Sequence, residues 1–148
     1  MVVSKELLSP CGLYCGVCGI QIAHRENNQK LKEKLAGVYG LKPEEIQCRG
    51  CLSESLFVYC RVCPIRKCAQ KRRFEGCYLC NEFPCEHINQ FPYPEAKNTI
   101  LRAVPEWKSL GTEKWVETQE KKYICPKCQS KLFRGAKRCN QCKEPVQL

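Results

Sequence analysis

No aspartate occurs anywhere in this chain of 148 residues, and histidine occurs only as His24 and His87. Hydrolytic metal sites draw many of their ligands and acid–base groups from these two residue types. Glutamate and cysteine remain to do such work, so catalysis is disfavoured without being excluded. Paired carboxylates, a phosphate-cradling glycine loop and a nucleophile triad are also missing, which leaves no reaction class marked. No stretch reaches the roughly eighteen apolar residues of a membrane span. The opening MVVSKELLSP lacks the apolar segment and cleavage site of a signal peptide. The expectation is a cytoplasmic protein with no membrane partner.

Aliphatic residues are thin too. Hydrophobic residues make up 43 % of the chain, but fifteen of them are cysteines. A chain this short with so small an aliphatic core needs help from disulfides or metal. The cysteines come largely as Cys-x2-Cys pairs. That spacing turns two thiolates toward one ion and suits a disulfide framework poorly, so metal, with zinc as the cofactor, is expected. The formal charge of +10 then overstates the basicity. A zinc ion held by four thiolates carries a net −2, so three such sites would bring the charge to about +4.

The strongest motif is Cys125-x2-Cys128 followed, after ten residues, by Cys139-x2-Cys142. Two short knuckles joined by a turn supply four soft ligands in a tetrahedron. YIC and KLF read as short strands and FRGAKR as the turn, a β zinc ribbon. Lys127, Lys131, Arg134, Lys137 and Arg138 give it a basic face. Phe133 either stacks on a base or fills the ribbon's small core.

Upstream, Cys15 and Cys18 with Cys48 and Cys51 form one candidate site. Cys60 and Cys63 with Cys77 and Cys80 form another. Cys11, Cys68, Cys85 and His87 remain as a further set. Interleaved pairings fit equally well. Cys60, Cys63 and Cys68 share their spacing with Cys77, Cys80 and Cys85, seventeen residues on. Cys11, Cys15 and Cys18 have the Cys-x3-Cys-x2-Cys spacing of radical S-adenosylmethionine enzymes, but a chain of this length has no room for a barrel of typical size. Iron–sulfur ligation of another kind stays compatible with these thiolates.

Between the cysteines, residues 22–39 read as one amphipathic helix ending at Gly40, with Leu31, Leu35 and Val38 at helical spacing. Pro43 suits a first helical turn. Residues 95–110 read as a helix with Ala96, Ile100, Val104 and Trp107 on one stripe, kinked or split at Pro105. Thr112 is placed to cap a further helix, EKWVETQEKK. The fold expected is a small metal-stabilised protein, mainly α with irregular cysteine knuckles and a C-terminal β zinc ribbon. Its parts are a cysteine-rich domain at 1–92, a helical connector at 93–122 packed on it, and the ribbon at 123–148.

The order CGLYCGVCG, CRGC, CRVCPIRKC and GCYLCNEFPC resembles a microbial cysteine-rich family catalogued as domain of unknown function 3795, over roughly residues 8–90. LGTEKWVETQEKKYICPKC is similar to the tail some of its members carry before a zinc ribbon. The resemblance implies metal-rich, zinc-binding proteins of bacteria and archaea, and no established reaction. The functional expectation is therefore a zinc protein with mainly structural metals that presents a surface to another protein. One alternative is a metal-dependent enzyme or iron–sulfur redox module, with Glu82 and Glu86 as bases near an open site. The other is a nucleic-acid module using the ribbon and the basic stretch Arg66, Lys67, Lys71, Arg72 and Arg73. Trp107, Trp115 and Tyr123 are expected to pack a small core rather than face a partner.

Overall fold

A computed structural model describes residues 2–148. Its helices are α1 (Gly19–Arg25), α2 (Gln29–Tyr39), α3 (Pro64–Arg72), α4 (Glu86–Asn89), α5 (Pro94–Leu110) and α6 (Thr112–Lys122). Short 3-10 turns connect them. None of these helices is long and apolar enough to cross a membrane.

One local device recurs three times in the N-terminal part. Cys15–Val17, Val58–Val62 and Cys77–Leu79 are 3-10 turns holding the first cysteine of a Cys-x2-Cys pair. The second cysteine's N–H closes each turn onto the first one's carbonyl, at 3.0 Å for Cys18, 3.3 Å for Cys63 and 3.0 Å for Cys80. Cys18 then stands at the N-cap of α1 and Cys63 at that of α3. Pro64 opens α3, where the N–H it lacks would have had no helical partner.

The single helix expected at 22–39 is two. Asn27 adopts a left-handed conformation at φ 47° and ends the first. Asn28 starts the second, its side-chain oxygen accepting the Leu31 N–H at 3.1 Å. Asparagine tolerates both roles because its short amide bonds to local backbone. Gly40, at φ 68°, ends α2 as expected. By contrast, α5 runs unbroken through Pro105, which lies on the exposed side. Thr112 does not cap α6. Gly111 occupies that position, and the Thr112 hydroxyl accepts the Trp107 indole N–H at 2.9 Å.

Trp107 and Trp115 lie fully buried and stacked, with ring centroids 4.4 Å apart and planes at 4°. They tie α5 to α6. Around them one buried cluster combines Leu8, Tyr14 and Val17 from the N-terminus with Tyr123, Leu132 and Cys139 from the C-terminus. Glu120 on α6 bridges the same regions, accepting from the Tyr14 hydroxyl at 2.7 Å and pairing with Lys131 at 2.6 Å.

The β ribbon expected at the C-terminus does not form. Among the described residues there is no β-strand, and the segment carries two isolated antiparallel bridges, Ile124 with Lys131 and Arg138 with Pro145. Each knuckle is too tight for a ladder, because its backbone bonds turn inward around the cysteines. The segment docks instead onto the rest of the protein. Arg134 donates its N–H to Val17 at 2.7 Å and its guanidinium to Tyr14 at 3.2 Å, both to carbonyls. Phe133 packs against Gly19, where an added Cβ would meet its ring at 3.1 Å.

Candidate metal centre

The two C-terminal knuckles are near copies, fourteen residues apart. Cys125 N–H bonds Ser130 and Gln129 N–H bonds Cys125. Likewise Cys139 N–H bonds Glu144 and Lys143 N–H bonds Cys139. The residue after each second cysteine is left-handed, Gln129 at φ 63° and Lys143 at φ 64°. That reversal folds the chain back so that both thiols of a pair point the same way. Packing the two knuckles together places the sulfurs of Cys125, Cys128, Cys139 and Cys142 within 4.8 Å of one another. Cys125 and Cys142 are 3.7 Å apart, and Cys128 and Cys139 are 3.6 Å apart.

Ser130 Oγ lies between two of these thiols, 2.9 Å from Cys128 Sγ and 3.1 Å from Cys139 Sγ. The Ser130 hydroxyl, helped by backbone N–H groups of Cys142 and Gln141, draws the Cys139 thiol down to about 6. It also lowers Cys128. Ionised sulfurs this close repel one another, and a cation between them converts that repulsion into ligation. The set could hold one metal ion. Serine had no place in the sequence reading. The signal was its position two residues from a cysteine, as in Cys128-Gln-Ser130 and again in Ser9-Pro-Cys11.

The remaining cysteines fall into two crowds. Cys68, Cys77, Cys80 and Cys85, with His87, line one small cavity. Burial pushes the Cys77 thiol up to about 12, reinforced by Cys11, Cys85, Cys80 and Cys68 nearby. The second crowd surrounds the first knuckle. Cys51 donates its N–H to Cys15 Sγ at 3.3 Å. Ser9 Oγ is 3.1 Å from Cys11 Sγ. Cys18 and Cys48 share a buried cluster. Desolvation around Cys60, which still reaches the surface, pushes its thiol up to about 12, and Cys18, Cys48 and Cys63 reinforce the shift. Cys11 also shares a buried cluster with Cys63, Cys77 and Cys85, so the two crowds adjoin. Among the described residues, three or more ligand atoms meet within 4.8 Å only in the C-terminal set.

The other chemistry-bearing residues are mostly engaged. Glu82 pairs with Arg72 at 2.7 Å, and Glu86 accepts from Gln90 at 2.9 Å. Lys127 pairs with Glu144 at 2.9 Å, and Arg138 bonds the Lys143 carbonyl. Arg66 donates to the Cys51 carbonyl at 2.7 Å. Phe133 is only 9 % exposed and offers no face to a base. His24 sits half-buried near the end of α1, away from these sulfurs in sequence and in contact.

These features define a mainly helical, cysteine-rich protein with a four-thiol group suited to a metal ion. Residues 7–90 match the family described as Protein of unknown function (DUF3795), and the chain belongs to that family. The match ends before the C-terminal knuckles. Comparison with curated proteins and with solved structures finds no match.

Proposed function

We propose that this is a zinc-binding protein whose metals are structural and whose surface serves a protein partner. One observation carries the reading of a tetrahedral thiolate site, the geometry that structural zinc takes. A tetrahedral zinc–thiolate site with bonds of about 2.3 Å has sulfurs about 3.75 Å apart. The distances of 3.7 Å for Cys125–Cys142 and 3.6 Å for Cys128–Cys139 match it. Four protein ligands complete a tetrahedron and leave no position for water, which is the structural rather than the catalytic arrangement. Bound there, zinc would hold the two knuckles closed. Cys125 and Cys139 are also buried in the cluster around the stacked tryptophans, so closure of the knuckles and packing of the core support each other.

We assign metal-ligand roles to the N-terminal thiols as well, since they crowd together without forming disulfides. The partner surface is supported by apolar side chains that the fold leaves outside. Tyr59 is 49 % exposed and packs on Tyr39, while Val38 and Val62 are more than two-thirds exposed. The basic residues support the nucleic-acid reading less, because most are bonded within the chain.

The test is metal content per chain after anaerobic purification, with an absorption spectrum of the same sample. Zinc with no visible absorbance is the expected result. Iron with inorganic sulfide and a broad band near roughly 400 nm would overturn the assignment.

A further inference from the structure

We propose that the cavity between α3, the Cys77–Leu79 turn and α4 is a second metal centre, with Cys68, Cys77, Cys80 and Cys85 as its ligands. The void measures about 30 Å³. Pockets for organic ligands run to roughly 300–1,000 Å³. This one has room for an ion or a few atoms. Its four thiols arrive from separate places: the middle of α3, both ends of one turn, and the start of α4. Phe74 and Phe83 supply apolar wall. If the cysteines were mere fillers, close packing would remove the void rather than ring it with sulfur.

One of the thiols already has a hydrogen-bond donor beside it. Four thiolates on a divalent ion leave a net negative charge. Arg72 stands at this cavity, its guanidinium 3.7 Å from Cys80 Sγ while it also pairs with Glu82. His87 lines the same cavity from an exposed position. With four thiols present it is not needed as a ligand. The set has an internal logic as well. Cys77, Cys80 and Cys85 form the second copy of the seventeen-residue repeat, and Cys68 is the last cysteine of the first. The first copy thus lends its last cysteine to the second, and pairing by copy alone fails. The ligand atoms are more widely spaced than the C-terminal four, so a single ion must draw them inward.

This inference rests on reading the thiols as metal ligands and is independent of which thiophilic metal they hold. Metal content would be counted by mass spectrometry for wild type, C77S/C85S and H87A, all purified anaerobically. The expected result is one metal centre fewer in C77S/C85S and a full complement in H87A. Unchanged content in C77S/C85S, or loss in H87A, would overturn the ligand set. Loss of iron rather than zinc would keep the site and overturn only the zinc assignment. Wild-type protein gives a check that needs no variant. During chelation, Cys68, Cys77, Cys80 and Cys85 are expected to become reactive to alkylation together. Release of Cys60 and Cys63 in step with Cys77 and Cys80 would sink the proposal.

Discussion

The C-terminal knuckles and the N-terminal cysteines solve the same problem in opposite ways. In the C-terminal segment, two pairs ten residues apart are each folded by their own backbone bonds, and their sulfurs converge to 3.6 and 3.7 Å. In the N-terminal part, the turns are equally well formed, but the Cys15 and Cys18 pair faces cysteines from a distant segment, and the Cys77 and Cys80 pair depends on α3 and α4 packing against it. Cys15 meets the Cys51 N–H across thirty-six positions, and Cys77 N–H is held by the Pro10 carbonyl at 2.8 Å. Local geometry assembles the first kind of site. Tertiary packing must assemble the second, so its ligands are ordered only once helices and loops have docked. The thiols register the difference. In the C-terminal set hydrogen bonds draw Cys128 and Cys139 down while Cys142 rises to about 11; in the N-terminal part burial drives Cys51 and Cys77 up to about 12.

The largest effect should come from metal itself. Titrating zinc into metal-free protein is expected to protect Cys125, Cys128, Cys139 and Cys142 from alkylation before any N-terminal thiol. Filling that set should contribute on the order of 10 kcal/mol. Earlier protection of the Cys11 to Cys85 thiols would break the comparison outright.

A smaller effect probes the packing-dependent side. Gly50, between Cys48 and Cys51, has φ 138°, and a Cβ there would lie 2.0 Å from the Glu6 carbonyl oxygen. Gly50→Ala is expected to cost about 3 kcal/mol in chemical denaturation. It should free metal from the N-terminal thiols and spare the C-terminal four. Equal loss from both regions would show that they are not separable.

The smallest effect probes the local side. Gln129 and Lys143 hold left-handed conformations that glycine adopts without strain. Gln129→Gly and Lys143→Gly should each stabilise the protein by up to about 1 kcal/mol. Destabilisation by either change would mean that side-chain contacts, not backbone reversal, set the knuckle.

Legibility followed the same divide. The grouping of the four C-terminal cysteines could be read directly, because Cys-x2-Cys pairs at short separation leave few alternatives. The strands around them could not, because YIC and KLF look extended while the knuckle bonds allow only one bridge each. The helix break at Asn27 and Asn28 was overlooked because the apolar stripe that marked the helix, Leu31, Leu35 and Val38, lies wholly beyond it, whereas the break depends on two polar residues. The persistence of α5 through Pro105 was also hidden. The stripe of Ile100, Val104 and Trp107 is buried on both sides of that proline, and packing outweighs one missing hydrogen bond.

Chain order alone marked the four-thiol group and the family, since fifteen cysteines at fixed spacings need no fold to be counted. It also determined the knuckle turns, whose bonds span only a few residues. Only the tertiary structure decided which distant thiols share a neighbourhood. Only it showed that Trp107 and Trp115 stack inside, and that Phe133 and Arg134 dock the C-terminal knuckles onto the first one. Those contacts depend on how separate faces pack, and packing is a property of the whole chain that no local spacing encodes.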